Sequence, residues 1–441
     1  SSLLNFSVKR HSPELIPPAA PTPHEFKNLS DIDDQQTLRF LLPAIYFFNG
    51  NQMDKDIVAV MRRAISKALV FYYPLAGRTR EIAGKKLLVE CTGEGVMFVA
   101  ADADVALEDF GDPLHPPFPG IDKLLFDIDP AGEVTNSALM YFQVTRLRCG
   151  GFALSLLFNH TITDGFGASQ FARAMFEFAR GDEFPSVLPV WKRHLLSARD
   201  PPRVTCTHRE YDHDEEEGTN TTTIQNHGSL HLLHRAFFFG ADEIAALRRR
   251  LPPEISRCSV FELVTGCIWR CRTIAISPSP DEEVRIICPV NARNRFNPPI
   301  PVGYYGNAIG FSMAVSTARN LFHSPLHYAM KLVKQACDGV TEEYMKSVAD
   351  LMVLKGRPRV ITERTYRVSD IRYSGVEEVD FGWGKPAYGG TAKCGGGLIP
   401  GASSYYIASR NDKGEKGFVA PICLPPPAME VFAREMNDML N

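Results

Sequence analysis

The chain has 441 residues, a size that suits two to three domains, and its 48 Lys+Arg against 51 Asp+Glu leave a formal charge of −3. That balance argues against the clustered basic face of a nucleic-acid-binding protein. Hydrophobic residues at 44% and charged residues at 22% exclude wholesale disorder and leave enough apolar side chain for a sizeable core.

Residues 1–10 lack an apolar secretory core, and the Pro-rich residues 12–24 should run extended over a surface. Val58, Val60, Met61, Ile65 and Leu69 recur at helical spacing within residues 54–69, which run into Val70-Phe71-Tyr72-Tyr73-Pro74. Residues 86–90 and 96–100 read as short strands around a Gly-containing turn. Two further strands fill residues 139–160. In the second, Phe152, Leu154, Leu156 and Phe158 share one parity, and His160 continues it. A helix is expected over 166–180, stopped by Gly181. Residues 181–235 are rich in Pro and then acidic at 214–217, the best linker between two halves. Helices over 241–251, after Ser259 and over about 325–347, with a strand at 284–290, make the second half α/β as well.

No apolar run approaches the roughly 18 residues of a membrane span. Ten cysteines include no CxxC pair. Cys267 and Cys271 stand one helical turn apart with no His cluster beside them, so they read as reduced thiols and no metal site is expected. Met439-Leu440-Asn441 is not a peroxisomal signal. The expected location is the cytoplasm, or the peroxisome if a C-terminal signal has been removed.

The sharpest chemical feature is His160-Thr161-Ile162-Thr163-Asp164-Gly165, at a strand end where the chain turns into a helix. A neutral, desolvated imidazole there can take a proton from a hydroxyl, and Asp164 can fix its tautomer, brace the loop or simply cap the helix. A second motif lies far away: Asp380-Phe381-Gly382-Trp383-Gly384-Lys385-Pro386, in a Gly-rich stretch whose indole could wall a pocket or anchor a loop.

Together these motifs resemble the plant BAHD acyltransferases, which move acyl groups from coenzyme A to alcohols or amines. The resemblance extends along nearly the whole chain, through Leu69-Val70-Phe71-Tyr72-Tyr73-Pro74-Leu75-Ala76-Gly77-Arg78, Asn291-Ala292-Arg293 and Gly303-Tyr304-Tyr305-Gly306-Asn307. Residues 29–35, 89–96 and 342–358 are similar to a narrower branch that holds benzyl alcohol O-benzoyltransferases and alcohol acyltransferases. The resemblance implies two α/β domains of chloramphenicol-acetyltransferase type with a solvent channel at their interface. The first would span 1–190 and be completed by about 360–390, the second would span 236–441, and 191–235 would form the crossover loop.

The family roles fall on matching residues. His160 would be the general base, with Asp164, Asp380 and Trp383 in the catalytic set. Asp164 would turn away from substrate to pair with Arg293. Gly382 and Gly384 would support the Trp383 loop, and Ser259 and Ser369 would contact coenzyme A. Leu38, Phe40 and Tyr388 would line the acceptor pocket. No cofactor would be permanently bound, acyl-CoA being a co-substrate. The implied reaction joins an acyl group, benzoyl first and acetyl second, to a small alcohol such as benzyl alcohol or to a larger terpenoid or alkaloid alcohol. The implied enzyme is a monomer with no nucleic-acid or membrane partner. A peptide-synthetase condensation domain would carry a second histidine where this chain has Asn159, and a non-catalytic relative would keep the fold without turnover.

Overall fold

A computed structural model describes residues 4–50, 56–129, 135–212, 232–255, 257–372, 380, 382, 384–393 and 402–441. In the first half the strands are β1 (Val8–Arg10), β2 (Glu14–Ile16), β3 (Phe26–Asn28), β4 (Leu41–Phe48), β5 (Arg78–Ile82), β6 (Lys86–Glu90), β7 (Val96–Ala103), β8 (Met140–Arg146) and β9 (Phe152–Asn159). Two helices accompany them, α1 (Ile57–Phe71) and α2 (Gly165–Arg180). The Asp56 carboxylate accepts the Val58 N–H and starts α1, which buries Ile57, Val58, Met61, Ala64, Ile65, Ala68 and Leu69 as one stripe. The α2 helix ends as the sequence predicts, with Gly181 in the left-handed region at φ 111°.

The second half holds β10 (Leu233–Phe239), α3 (Ala241–Arg249), α4 (Val260–Ile276), β11 (Glu283–Asn291), β12 (Ile309–Thr317), α5 (Ala318–His323), α6 (Leu326–Gly339), α7 (Glu342–Leu354), β13 (Thr365–Asp370), β14 (Tyr388–Thr391), β15 (Ser403–Arg410), β16 (Lys416–Leu424) and α8 (Pro426–Leu440). The single helix expected over 325–347 is two helices, because the chain breaks at Val340 and the Thr341 hydroxyl caps a new one by accepting the Tyr344 N–H.

One mixed sheet runs β1-β7-β8-β9-β4-β14, with β2 also paired to β7, and a second runs β10-β16-β15-β13-β11-β12. Helices α1 and α2 bury the Phe152, Leu154, Leu156 and Phe158 parity of β9, while Ala153 and Leu157 face a second apolar cluster on the other side. The second sheet is covered by α4, α6 and α8 around Trp269, Met330 and Phe432.

Two features of the chain path bear on these expectations. Among the described residues after 360, β14 joins the first sheet beside β4, whereas β13 does not, pairing with β11 and β15 inside the second sheet. Nor is the stretch after residue 181 a loose linker throughout. Arg193, Leu196, His208, Glu210 and Tyr211 are buried, His208 between Glu210 and Ser347 at 3.0 and 2.8 Å. The acidic run 214–217 and Cys394 lie outside the described residues. The nine described cysteines are all free.

Candidate active site

The β9 strand delivers His160 to the junction of the two halves. Its backbone N–H donates to the Phe40 carbonyl at 3.0 Å, and the Phe40 ring lies 5.3 Å from the imidazole, centroid to centroid. The Asn159 side chain shapes the following turn by accepting the Thr161 N–H and hydroxyl at 3.0 and 2.7 Å.

The tautomer of His160 follows from its neighbours. Asn307 Nδ2 donates to Asp33 Oδ1 at 3.0 Å and to the His160 carbonyl at 2.7 Å, both of which can only accept. Asn307 Oδ1 is therefore the atom that faces His160 Nδ1, 3.1 Å away, and Nδ1 must carry the proton. The lone pair is left on Nε2, which has no hydrogen-bond partner among the described residues. Burial pulls the imidazole below its ordinary pKa of 6.5, the charge of Arg367 pulling the same way and that of Asp164 opposing, so the ring is neutral at neutral pH.

Asp33 anchors this arrangement from the first half. Its Oδ1 also accepts the Asn307 N–H and Arg193 Nη1, each at 2.8 Å, and its Oδ2 accepts the Ser30 N–H and hydroxyl. Arg193 in turn donates to the Ile162 carbonyl and lies over the rings of Trp191, Tyr304 and Tyr305.

Asp164 does not touch the imidazole nitrogens. It caps α2 by accepting the Gly167 N–H at 2.9 Å, accepts the Ala308 N–H at 3.1 Å, and takes both arms of Arg293 at 2.8 and 2.9 Å. Burial opposes its ionisation, but the Arg293 guanidinium and the two N–H donors outweigh that and hold the carboxyl below the usual carboxylate range. Arg293 also donates to the Gly306 carbonyl at 2.8 Å, tying the two halves through the same pair.

The other predicted positions scatter. Asp380 is exposed and accepts the Gly382 and Gly384 N–H groups at 2.8 and 3.0 Å, with both glycines at positive φ near 95° and 97°. Its carbonyl accepts Arg180 Nη1 at the far end of α2. Asp380 therefore grips its own loop and makes no hydrogen bond to His160. Trp383 lies outside the described residues. Ser259 is exposed and caps α4, its hydroxyl accepting the Glu262 N–H at 3.2 Å. Ser369 is half-buried on β13. Leu38 is buried in a cluster with Ile32, Ile287 and Phe296. Tyr388 packs in the cluster of Phe47 and Phe118, with its hydroxyl donated to the Thr391 carbonyl at 2.7 Å. It is a core residue of the edge strand. Among the described residues no group of His, Cys, Asp or Glu could hold a metal ion.

Asn307, Asp33 and Arg193 were missed as functional residues. Asn307 and Asp33 sit inside the motifs 303–307 and 29–35, which gave a resemblance without a role.

The Transferase family model matches residues 6–439. The chain belongs to the BAHD acyltransferase family. It is 57% identical over its full length to a benzyl alcohol O-benzoyltransferase of Nicotiana tabacum, covering 95% of that protein. It is 48% identical to a (Z)-3-hexen-1-ol acetyltransferase of Arabidopsis thaliana, over 99% of this chain and 96% of the relative. This acyltransferase superposes on vinorine synthase with a TM-score of 0.73 at 20% identity, 98% of each chain being covered. A condensation domain of the CDA synthetase shares the fold more distantly, with a TM-score of 0.56 at 14% identity over 94% of this chain and 95% of that one. Among the described residues no helix is long and apolar enough to cross a membrane.

Proposed function

We propose that the chain transfers an acyl group, benzoyl before acetyl, from its coenzyme A thioester to the hydroxyl of a small alcohol such as benzyl alcohol. The observation that carries this reading is the neutral His160, whose Nδ1–H is committed to Asn307 and whose Nε2 has no hydrogen-bond partner among the described residues. Nε2 takes the hydroxyl proton as the oxygen attacks the thioester carbonyl, giving a tetrahedral oxyanion. Collapse of that intermediate breaks the C–S bond, and the imidazolium returns its proton to the thiolate, leaving an ester and free coenzyme A. Asp164 serves by holding the loop, since both of its oxygens are occupied by Arg293 and backbone donors.

Benzoyl transfer to benzyl alcohol is supported by the tobacco relative and by its Petunia hybrida counterpart, each 57% identical. The hexenol acetyltransferase at 48% identity supports acetyl as the second donor. A 13-hydroxylupanine O-tigloyltransferase at 46% keeps a larger alkaloid acceptor in view. Ser259 and Ser369 are the proposed coenzyme A contacts, and Phe40 and Leu38 the proposed acceptor wall. We read the enzyme as a cytoplasmic monomer. A matrix of acyl-CoA donors against alcohols, read as ester plus free thiol, tests this directly. Benzoyl-CoA with benzyl alcohol should give ester and free thiol in equal amounts, and thioester cleavage without ester would overturn the reading. His160→Ala should abolish nearly all ester formation while leaving the fold intact.

A further inference from the structure

The β13 strand carries a charge that acyl transfer to a neutral alcohol leaves unused. Along β13, Tyr366 and Val368 are buried in the core of the second half, Tyr366 beneath Arg272 of α4. Arg367 and Ser369 therefore take the opposite face of the strand. In the register of the sheet, Arg367 stands beside Ile287 of β11 and Ser403 of β15, both buried. Ile287 packs in the cluster that contains Ile32 and Leu38 of the first half. The face of Arg367 is thus the one turned toward the first half and its acceptor wall, and the guanidinium is near enough for its charge to act on His160.

Three other interior arginines have carboxylates, Arg193 with Asp33, Arg293 with Asp164, and Arg357 with Asp31 and Asp34, while Arg272 lies over the Tyr366 ring. Arg367 is half-buried, and its guanidinium has neither an ion pair nor a hydrogen bond among the described residues. Burial draws it below its ordinary pKa, relieved only by the phenol of Tyr405. A desolvated guanidinium without a counter-ion is costly, and that cost is recovered when an anion arrives. Its planar fork suits a carboxylate, which it can grip with two parallel hydrogen bonds.

We propose that Arg367 is a specificity-determining residue that binds a carboxylate brought to the His160 site by one of the two substrates. The carboxylate belongs either to a hydroxy-acid acceptor or to the half-thioester of a dicarboxylic acid as donor. The inference rests on the acyl-transfer reading and narrows its substrate class.

The test compares wild type with Arg367→Leu on three pairs: benzoyl-CoA with benzyl alcohol, benzoyl-CoA with 4-(hydroxymethyl)benzoate, and malonyl-CoA with benzyl alcohol. Wild type should turn over at least one carboxylated pair. For that pair Arg367→Leu should lose kcat/KM, chiefly through KM, at least about tenfold more than for the neutral pair. Loss in the second pair assigns the acceptor, and loss in the third assigns the donor. If Arg367→Leu fails to fold, Arg367→Lys keeps the charge without the fork and should show the same selective loss, smaller in size. Equal losses on all pairs, or no turnover of either carboxylated pair beside an active neutral pair, would overturn the proposal. Should wild type transfer nothing at all, the acyl-transfer reading fails on its own. Thermal stabilisation by 4-(hydroxymethyl)benzoate that requires Arg367 would then still support the carboxylate site, and its absence would sink it.

Discussion

His160 can act as a base because one amide oxygen dictates where its proton sits. Asn307 cannot turn over without losing two acceptors, Asp33 and the His160 carbonyl, so Nδ1–H is locked and Nε2 is the reactive atom. Asn307→Ala should lower kcat by about 10²-fold with a smaller change in KM, since the tautomer and the ring orientation are both released. Burial, with Arg367 assisting, places the imidazole pKa below 6.5. The base form is therefore kept until the pH falls through that lowered value. The acid limb of kcat/KM should lie below pH 6.5, and a limb above it would contradict the buried, neutral ring. His160 was legible in the sequence because its strand parity and its spacing to Asp164 are local. The roles of Asn307 and Asp33 were not, since they lie 147 and 127 residues away along the chain and meet His160 only through folding.

At the scale of the element, α2 is the part that joins motif to scaffold. Its start is the Asp164 cap and its end is held to the Asp380 loop through Arg180, so one helix links the two sequence motifs. Close docking at the start needs Gly167. A Cβ there would stand 2.1 Å from the Tyr305 carbonyl oxygen and 2.3 Å from the Thr163 hydroxyl. Gly167→Ala should cost about 1–3 kcal/mol, read as a lowered denaturation midpoint, and should reduce activity because the His160 turn moves with the helix. Caps and stops were readable: Asp164, Ser259 and Gly181 each stand where local backbone chemistry requires such a residue. The packing of Tyr388 with Phe47 and Phe118 was not legible, because nothing in its neighbours tells an edge-strand core residue from a pocket residue. That difference depends on which sheet β14 joins.

For the whole molecule, the two halves are fastened by buried ion pairs as well as by apolar contact. Arg193, on the segment that leaves the first half, binds Asp33 and the Ile162 carbonyl beneath the Tyr304 and Tyr305 rings, while Arg293 of the second half grips Asp164 of the first. Arg193→Met leaves the Asp33 carboxylate buried without its guanidinium and should cost about 3–5 kcal/mol, measured by equilibrium unfolding. It should also impair turnover, because Asp33 orients Asn307; a variant with normal stability and normal kcat would refute this coupling. The stretch of 181–235 read as a linker because its prolines and polar residues resemble one, yet its described residues Arg193, Leu196, His208, Glu210 and Tyr211 are buried.

The sequence by itself determined the α/β class, the candidate base, the cap of the helix after it and the family, because strand parity, capping chemistry and short motifs are local properties of the chain. Tertiary structure alone decided which tautomer His160 adopts, that Arg293 occupies Asp164, that β14 crosses sheets while β13 does not, and that Arg367 lies on the sheet face turned toward the first half with no carboxylate partner among the described residues. Each of these depends on groups brought together from distant positions, where the burial of charge and the supply of hydrogen-bond partners are settled only by packing.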